Sequence, residues 1–319
     1  MPFGCNSNRP APAPAPTERR CCLLTPAAAP VKEGGIGVVD PAALGTHTFG
    51  QDSDVFGITY TCRAGFFDFG HARDMIDLAR YYHHWLTVGG RNSAGDTIPP
   101  IGHYPGRVTI KSSVPSGDRI DTACSMAYDY SVYHEIVTWF IHLPGSHNSS
   151  FSPEDLVSNF LGAYVGGRTI AAGGAFDAAA TKELASLLSL LDPRPPADTR
   201  AAFAAITNRW IDPTPGAIDL GPYANAGKND RYVLRRNFDF NPINPWFAPG
   251  VTFCASTTWP ATVPKSFDPR ITGYYEVEFD LPPQAAAVGS KVKNTDFATA
   301  IATIKTDAKT QYGPDYATP

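Results

Sequence analysis

The sequence predicts an α+β fold: a single, predominantly helical domain with a small antiparallel sheet and long Pro- and Gly-rich loops, spanning residues 35–319. Three observations carry this. Segments with apolar residues at steps of three and four recur along the chain, alternating β-branched runs stand early and late in it, and 30 prolines with 28 glycines punctuate the connections. MPFGCNSNRPAPAPAPTERR and the Pro, Ala and Gly residues after it predict a disordered Pro/Ala-rich tether over residues 1–34. ITYTCRAGFF alternates like a strand from Ile58 and leads into DFGHARDMIDLARYYHHWL, a helix of about 18 residues. GGRNSAGDTIPPIGHYPG reads as loop, RVTIKSSV as a short strand, and Ser125 to Leu143 as a long apolar helix. After the loop PGSHNSSF comes a third helix, SPEDLVSNFLGAYVGGR, with Ser152 as N-cap and Pro153 at the first helical position. FDAAATKELASLLSLL and DTRAAFAAITNRWI are amphipathic helices, each opened by an Asp suited to the N-cap. YVLRRNFDF and GYYEVEFDL are strands separated by an ordered, aromatic loop, and late strands pair with early ones. The last helix places Phe297, Ile301, Ile304 and Ala308 on one face.

Composition narrows the function classes. The chain is 319 residues long, 43% hydrophobic and 18% charged, so it buries a core without staples. Lys and Arg number 26 against 30 Asp and Glu, a net charge of −4 with no block of like charges. That argues against a nucleic-acid partner, which calls for a basic stripe. No stretch approaches the roughly 20 uninterrupted apolar residues of a spanning helix. The six cysteines, at 5, 21, 22, 62, 124 and 254, contain no CxxC pair, so zinc-ribbon and thioredoxin motifs are absent; their spacing leaves any disulfide connectivity open. GxSxG and P-loop patterns are missing too. Cys5 followed by a polar Pro-Ala tether is similar to the start of a mature bacterial lipoprotein. On an upstream start codon Cys5 is lipidated and the protein anchored to a membrane in the envelope; otherwise the segment is a cytoplasmic tail.

The chemistry concentrates on three helices. MAYDYSVYHEIVTWFIHL is apolar nearly all round and is expected to be buried, yet Ser131, His134, Glu135, Thr138 and His142 fall on one stripe. Buried polar groups need partners, and burial moves the pKa values of His and Glu toward neutrality. His134 and Glu135 are therefore the leading catalytic pair, with Thr138 supporting them. HExxH fails because Thr138 stands where the second His belongs. In the first long helix His71 and Asp74, three apart, can share a proton or ligate a metal together. In the third, Asp155, Ser158 and Asn159 form a polar stripe that orients the second helix, and Gly162 with Gly166 lets another helix approach closely. The aromatic loop around Trp246, Phe247 and Trp259 is a packed loop by default.

Taken together, GFFDFGHARD, YHEIVTWFIH and FSPEDLVSNFLGA resemble the bacterial family catalogued as domain of unknown function 4056, and RRCCLLTP and LGTHTFG are similar to that family's opening. The resemblance implies an envelope protein, secreted through a signal or lipid-anchored, and brings no established activity. It matches His71, Arg73, Asp74, His134, Glu135, Trp139, Ser152, Glu154, Asp155, Ser158 and Asn159 without assigning roles; among these, Arg73, Trp139 and Asn159 are expected to contact substrate. The sequence expectation is an envelope hydrolase in which His134, Glu135, His71 and Asp74 activate water, either directly or through one divalent metal such as zinc held by His71, His134 and Glu135. The rival is a non-catalytic envelope lipoprotein whose polar centre is structural or binds a small ligand.

Overall fold

The computed structural model describes residues 37–51, 54, 57–99, 106–140, 150–207, 209–212 and 233–319. The expected tether, Cys5, His142 and most of PGSHNSSF lie outside them. The fold is α+β and predominantly helical. Its entry is a hairpin, Ile58–Thr61 (β1) against Gly65–Asp68 (β2), in place of the one strand expected over ITYTCRAGFF. Gly65 reverses the chain at φ +73°, a conformation that side chains with a Cβ avoid. At the end of β2, Asp68 caps the first helix, Phe69–Leu86 (α1), accepting from the amides of Gly70 and His71 at 2.7 and 3.2 Å.

A two-residue strand, Thr97–Ile98 (β3), interrupts the segment expected to be all loop, and Gly106–Ile110 (β4) follows. The second helix, Arg119–Phe140 (α2), begins six residues before the expected Ser125, directly after the short turn at Ser116–Asp118. Burial extends almost all round it, as an apolar helix without a polar face requires. The third helix, Asp155–Ala172 (α3), starts later than its Ser-Pro signal suggested. Phe176–Leu191 (α4) and Pro196–Ile206 (α5) are capped at Ala175 and Pro195, which leaves Asp177 and Asp198 inside the first turns. There each carboxylate meets the positive helix end without serving as the cap. Ile211–Asp212 (β5) pairs with Val233–Leu234 (β6), all that is regular of the strand expected over YVLRRNFDF. Tyr275–Asp280 (β7), Lys291–Lys293 (β8) and Phe297–Tyr312 (α6) complete the described elements.

The sheet is antiparallel in the order β3-β4-β7-β8, so a late strand does pair with an early one, Val108 opposite Val277. It packs on α2 through Phe279, whose ring stacks on Tyr133 at 3.7 Å. The apolar face of α6, Phe297, Ile301, Ile304 and Ala308, is buried in the same core. A smaller core lies under the hairpin, where Tyr60 and Phe66 meet Phe203, Trp210 and Trp246. The disulfide Cys62–Cys254 ties the hairpin turn to the aromatic loop, so Trp246 belongs to a packed loop.

Helices α1, α2 and α3 pack on one another at the centre. The closest approach is α1 to α3: a Cβ on Gly162 would overlap the Ala72 carbonyl and lie 2.6 Å from Ala72 Cα, and one on Gly166 would lie 2.7 Å from Ala79 Cβ. Gly162→Ala tests this contact with opposed expectations. Helix propensity alone favours Ala by about 1 kcal/mol, whereas forcing two backbones apart costs about 1–3 kcal/mol or more. Packing wins at this distance, so urea unfolding will show a net loss of about 1–2 kcal/mol; a gain would mean that α1 yields freely.

On the sheet side of α2, Asp129 accepts from the Tyr275 hydroxyl at 2.7 Å and from Asn294 Nδ2 at 3.0 Å, while Tyr275 also shares a hydrogen bond with Ser125. Burial pushes the Asp129 carboxyl up from 3.8 to about 6, the two hydrogen bonds offsetting part of the rise. Between these values the native state holds a proton that the unfolded chain has released. Stability from this group is therefore lost as pH rises from about 4 to about 6, by at most about 3 kcal/mol. Asp129→Asn removes the charged form: relative to wild type, the variant will gain about 1–3 kcal/mol at pH 8 and little at pH 4. Parallel pH profiles of the two proteins would refute this.

Candidate functional site

The polar centre forms where the starts of α1 and α3 meet the middle of α2. Asp68, His71, Glu135, Glu154 and Asp155 are all buried, none more than 5% exposed. Each is placed by backbone chemistry. Asp68 is fixed as the α1 cap, and its own amide donates to Ser158 Oγ at 2.9 Å, which pins β2 to α3. His71 follows in the first turn of α1.

Glu135 reaches from α2 to the turn before α3, where its Oε2 accepts the Phe151 amide at 2.7 Å and its carbonyl accepts Ser150 Oγ at 2.6 Å. Phe151 holds φ +54°, a conformation costly for a bulky residue. The turn is clamped from its other side as well: Arg236 Nη1 donates to the Ser150 carbonyl at 2.7 Å and the Asn237 amide to the Phe151 carbonyl at 2.9 Å. The N-cap expected at Ser152 is not realised, since the cap position falls at Glu154. Asp155 Oδ2 accepts the Ser152 amide at 2.8 Å, but the Ser152 hydroxyl donates to Glu154 Oε2 at 2.6 Å and caps nothing.

These bonds use one oxygen of each acidic group on α3. Asp155 Oδ1 lies 3.7 Å from His71 Nδ1, and the Asp155 and Glu135 carboxyls are neighbours. Asp155 Oδ1, Glu154 Oε1 and both ring nitrogens of His71 are buried with no hydrogen-bond partner among the described residues. Burial, then the charges of Glu135, Glu154 and Asp68, hold the Asp155 carboxyl well above the usual carboxylate range. Glu154 is pushed up as well, first by burial and then by Asp68 and Glu135, against the opposing bond from Ser152. Both therefore remain acids to higher pH than ordinary carboxyls, the behaviour of like charges confined together.

The other expected site residues are distributed around this centre. His134 precedes Glu135 by one residue, a turn of about 100°; it is half-buried, and Glu135 is the one that enters the cluster. Asp74 is half-buried one turn further along α1. Thr138 turns its hydroxyl back onto α2, to the carbonyls of His134 and Glu135 at 2.9 and 3.1 Å, and Ser131 does the same to Tyr128 at 2.7 Å. Trp139 is 1% exposed, its indole donating to Asp307 on α6 at 3.1 Å. Arg73 is fully buried among Asp54 and the carbonyls of Leu44 and Thr46. Asn159 is buried on α3 beside Ser158. Among the described residues no group of three or more His, Cys, Asp or Glu side chains is arranged to hold a metal ion, so the expected ligand set of His71, His134 and Glu135 is not assembled. The reason is geometric: the neighbours His134 and Glu135 leave α2 in different directions.

Sequence reasoning passed over Asp68 as a site residue, although its place directly before FGH is the signal of a cap. It also gave no role to His47 and Asp77, which pair at 2.9 Å in a second buried network beneath the segment LGTHTFG. Residues 39–216, more than half of the chain, match the family described as Protein of unknown function (DUF4056). No curated protein and no solved structure matches the chain.

Proposed function

The chain belongs to the DUF4056 family, whose description assigns no activity, and from its polar centre we propose that it is a hydrolase working by acid–base catalysis in the bacterial cell envelope. The observation that supports this is His71, a buried imidazole with no protein hydrogen bond on either nitrogen among the described residues, 3.7 Å from a carboxyl whose proton burial and neighbouring charge hold to higher pH than usual. On this reading His71 takes a proton from the attacking water as the water oxygen bonds to the substrate, and the imidazolium returns that proton to the leaving group as the bond to it breaks, with the Asp155 carboxyl beside the ring. Glu135, against Asp155, offsets the positive charge that forms on the ring.

The disulfide between Cys62 and Cys254 supports an oxidising compartment, and lipid attachment at Cys5 accords with it. Among the described residues no helix is long and apolar enough to cross a membrane. A screen of envelope lipids, glycans and peptides tests the activity. On whichever is turned over, His71→Gln and Asp155→Asn will each lower kcat by about 10²–10⁴-fold with the melting temperature retained. No turnover across the panel, or full turnover by both variants, would overturn the reading. The second reading, a non-catalytic protein with a structural polar centre, draws on the burial of every member of the cluster; it expects both variants to be inert in activity and strongly destabilised.

A further inference from the structure

Among the described residues, backbone amides and one hydroxyl donate to the cluster. Phe151 N serves Glu135, Ser152 N serves Asp155, Ser152 Oγ serves Glu154, and two amides serve Asp68. Among the described residues Asp155 Oδ1, 3.7 Å from His71 Nδ1, and Glu154 Oε1 are buried and not hydrogen-bonded, and the His71 ring is 5% exposed. Arg236, the buried cation that borders the turn, directs Nη1 to the Ser150 carbonyl and Nε to the Tyr316 hydroxyl.

We infer that this cluster receives a primary ammonium group, so that the ligand or substrate of the site is an amine-bearing small molecule. The inference rests on the reading of the cluster as a functional site and names its substrate class. An anion is repelled by four carboxyl-bearing side chains. A neutral hydroxyl offers one donor and leaves the other acceptor and the negative charge uncompensated. A divalent metal needs a set of three ligands that the described residues do not assemble. An ammonium carries three donors and one positive charge, enough to bridge Asp155 Oδ1 and Glu154 Oε1 with charge-assisted bonds.

The occupant also changes the protonation of the site. Asp155 and Glu154 hold protons to higher pH than usual because of burial and of the charges of Glu135 and Asp68, with Glu154 adding to the rise at Asp155. An arriving ammonium favours their charged forms, so binding releases protons and tightens as pH rises toward the amine's own pKa. Among the described residues Asp68, His71, Tyr128, Glu135, Glu154, Asp155 and Arg236 are ionisable groups around the centre, and the release belongs to the set.

The test uses the full chain with ethanolamine and glucosamine as probes and ethylene glycol and N-acetylglucosamine as neutral counterparts. At about ten times their Kd the amines will raise the melting temperature by about 2 °C or more, and the neutral compounds will not. Calorimetry in buffers of different ionisation heat will register proton release. Asp155→Asn and Glu154→Gln, which keep acceptors for Ser152, will each weaken amine binding about 10-fold or more while remaining folded. Equal binding of the neutral compounds, or no shift with any amine, overturns the inference. Turnover without amine binding would overturn it and spare the hydrolytic reading; amine binding by a protein that hydrolyses nothing would do the reverse.

Discussion

Replacing Arg73 with Met is expected to lower the unfolding free energy by about 3–5 kcal/mol, a large part of the 5–15 kcal/mol typical of a domain. The guanidinium is fully buried; Nη1 meets Asp54 at 3.2 Å and the Thr46 carbonyl at 3.3 Å, and Nη2 the Leu44 carbonyl at 2.9 Å. Met fills the space of the stem but takes the guanidinium charge away from buried Asp54. The Thr48 amide at 2.9 Å and His47 Nδ1 at 3.9 Å stay beside that carboxylate without replacing the lost cation. The segment from Leu44 to Gly50 then hangs from α1 through Asp77, by way of His47 and the Gly50 amide. Urea unfolding gives the size of the loss, and hydrogen exchange will show residues 44–50 losing protection first. Arg73→Lys tests the geometry, since one ammonium cannot fork between acceptors as a guanidinium does; most of the loss should remain. A protein that keeps its stability but binds substrate more weakly would return Arg73 to the substrate-contact role that the sequence suggested.

Breaking the Cys62–Cys254 bond is the second large effect. The residues are 192 apart in sequence, and the chain-entropy relation puts closure of such a loop at about 5 kcal/mol. Measured losses for natural disulfides fall at about 2–5 kcal/mol, and Cys254→Ser should lie in that range. The damage has a place: the hairpin turn parts from the aromatic loop, and the small core of Tyr60, Phe66, Trp210 and Trp246 loses a wall. Cys124, the other described cysteine, is buried and its thiol is pushed up by burial, so it supplies little thiolate for exchange. Reductant should lower the unfolding midpoint of wild type to that of Cys254→Ser and leave the variant unmoved. A wild-type midpoint indifferent to reductant would remove this bond from the stability of the fold.

How far the molecule is legible in its sequence depends on the kind of signal. Apolar periodicity locates α1, α4, α5 and α6, and an apolar run long enough for a buried helix locates α2. The close approach of α1 and α3 was readable in Gly162 and Gly166, since absent side chains at a four-residue spacing leave room for another backbone. The polar stripe of α2 was less faithful. A helical wheel cannot tell a hydroxyl that faces a site from one that bonds its own helix, as Ser131 and Thr138 do. Nor can it say which of two neighbours, His134 or Glu135, points inward. The segment at Ser152 reads in sequence as orienting α2; that its acids Glu154 and Asp155 also enter the cluster is not legible, because the chain turns at Phe151 in a conformation that the residue type does not announce. The disulfide was invisible because proximity of Cys62 and Cys254 is a product of the whole fold.

The contact at Gly162 has a further consequence for the history of the protein. A side chain there would collide with Ala72, whose chain neighbour is His71, while α3 itself begins with Asp155. Enlarging that one position thus displaces the imidazole from its carboxyl without touching either. Lineages that retain the cluster should accordingly be unable to drift from glycine at 162, and lineages that have drifted should be found to have abandoned His71 or Asp155 as well. Selection on the site would then be recorded at a residue that carries no chemistry of its own.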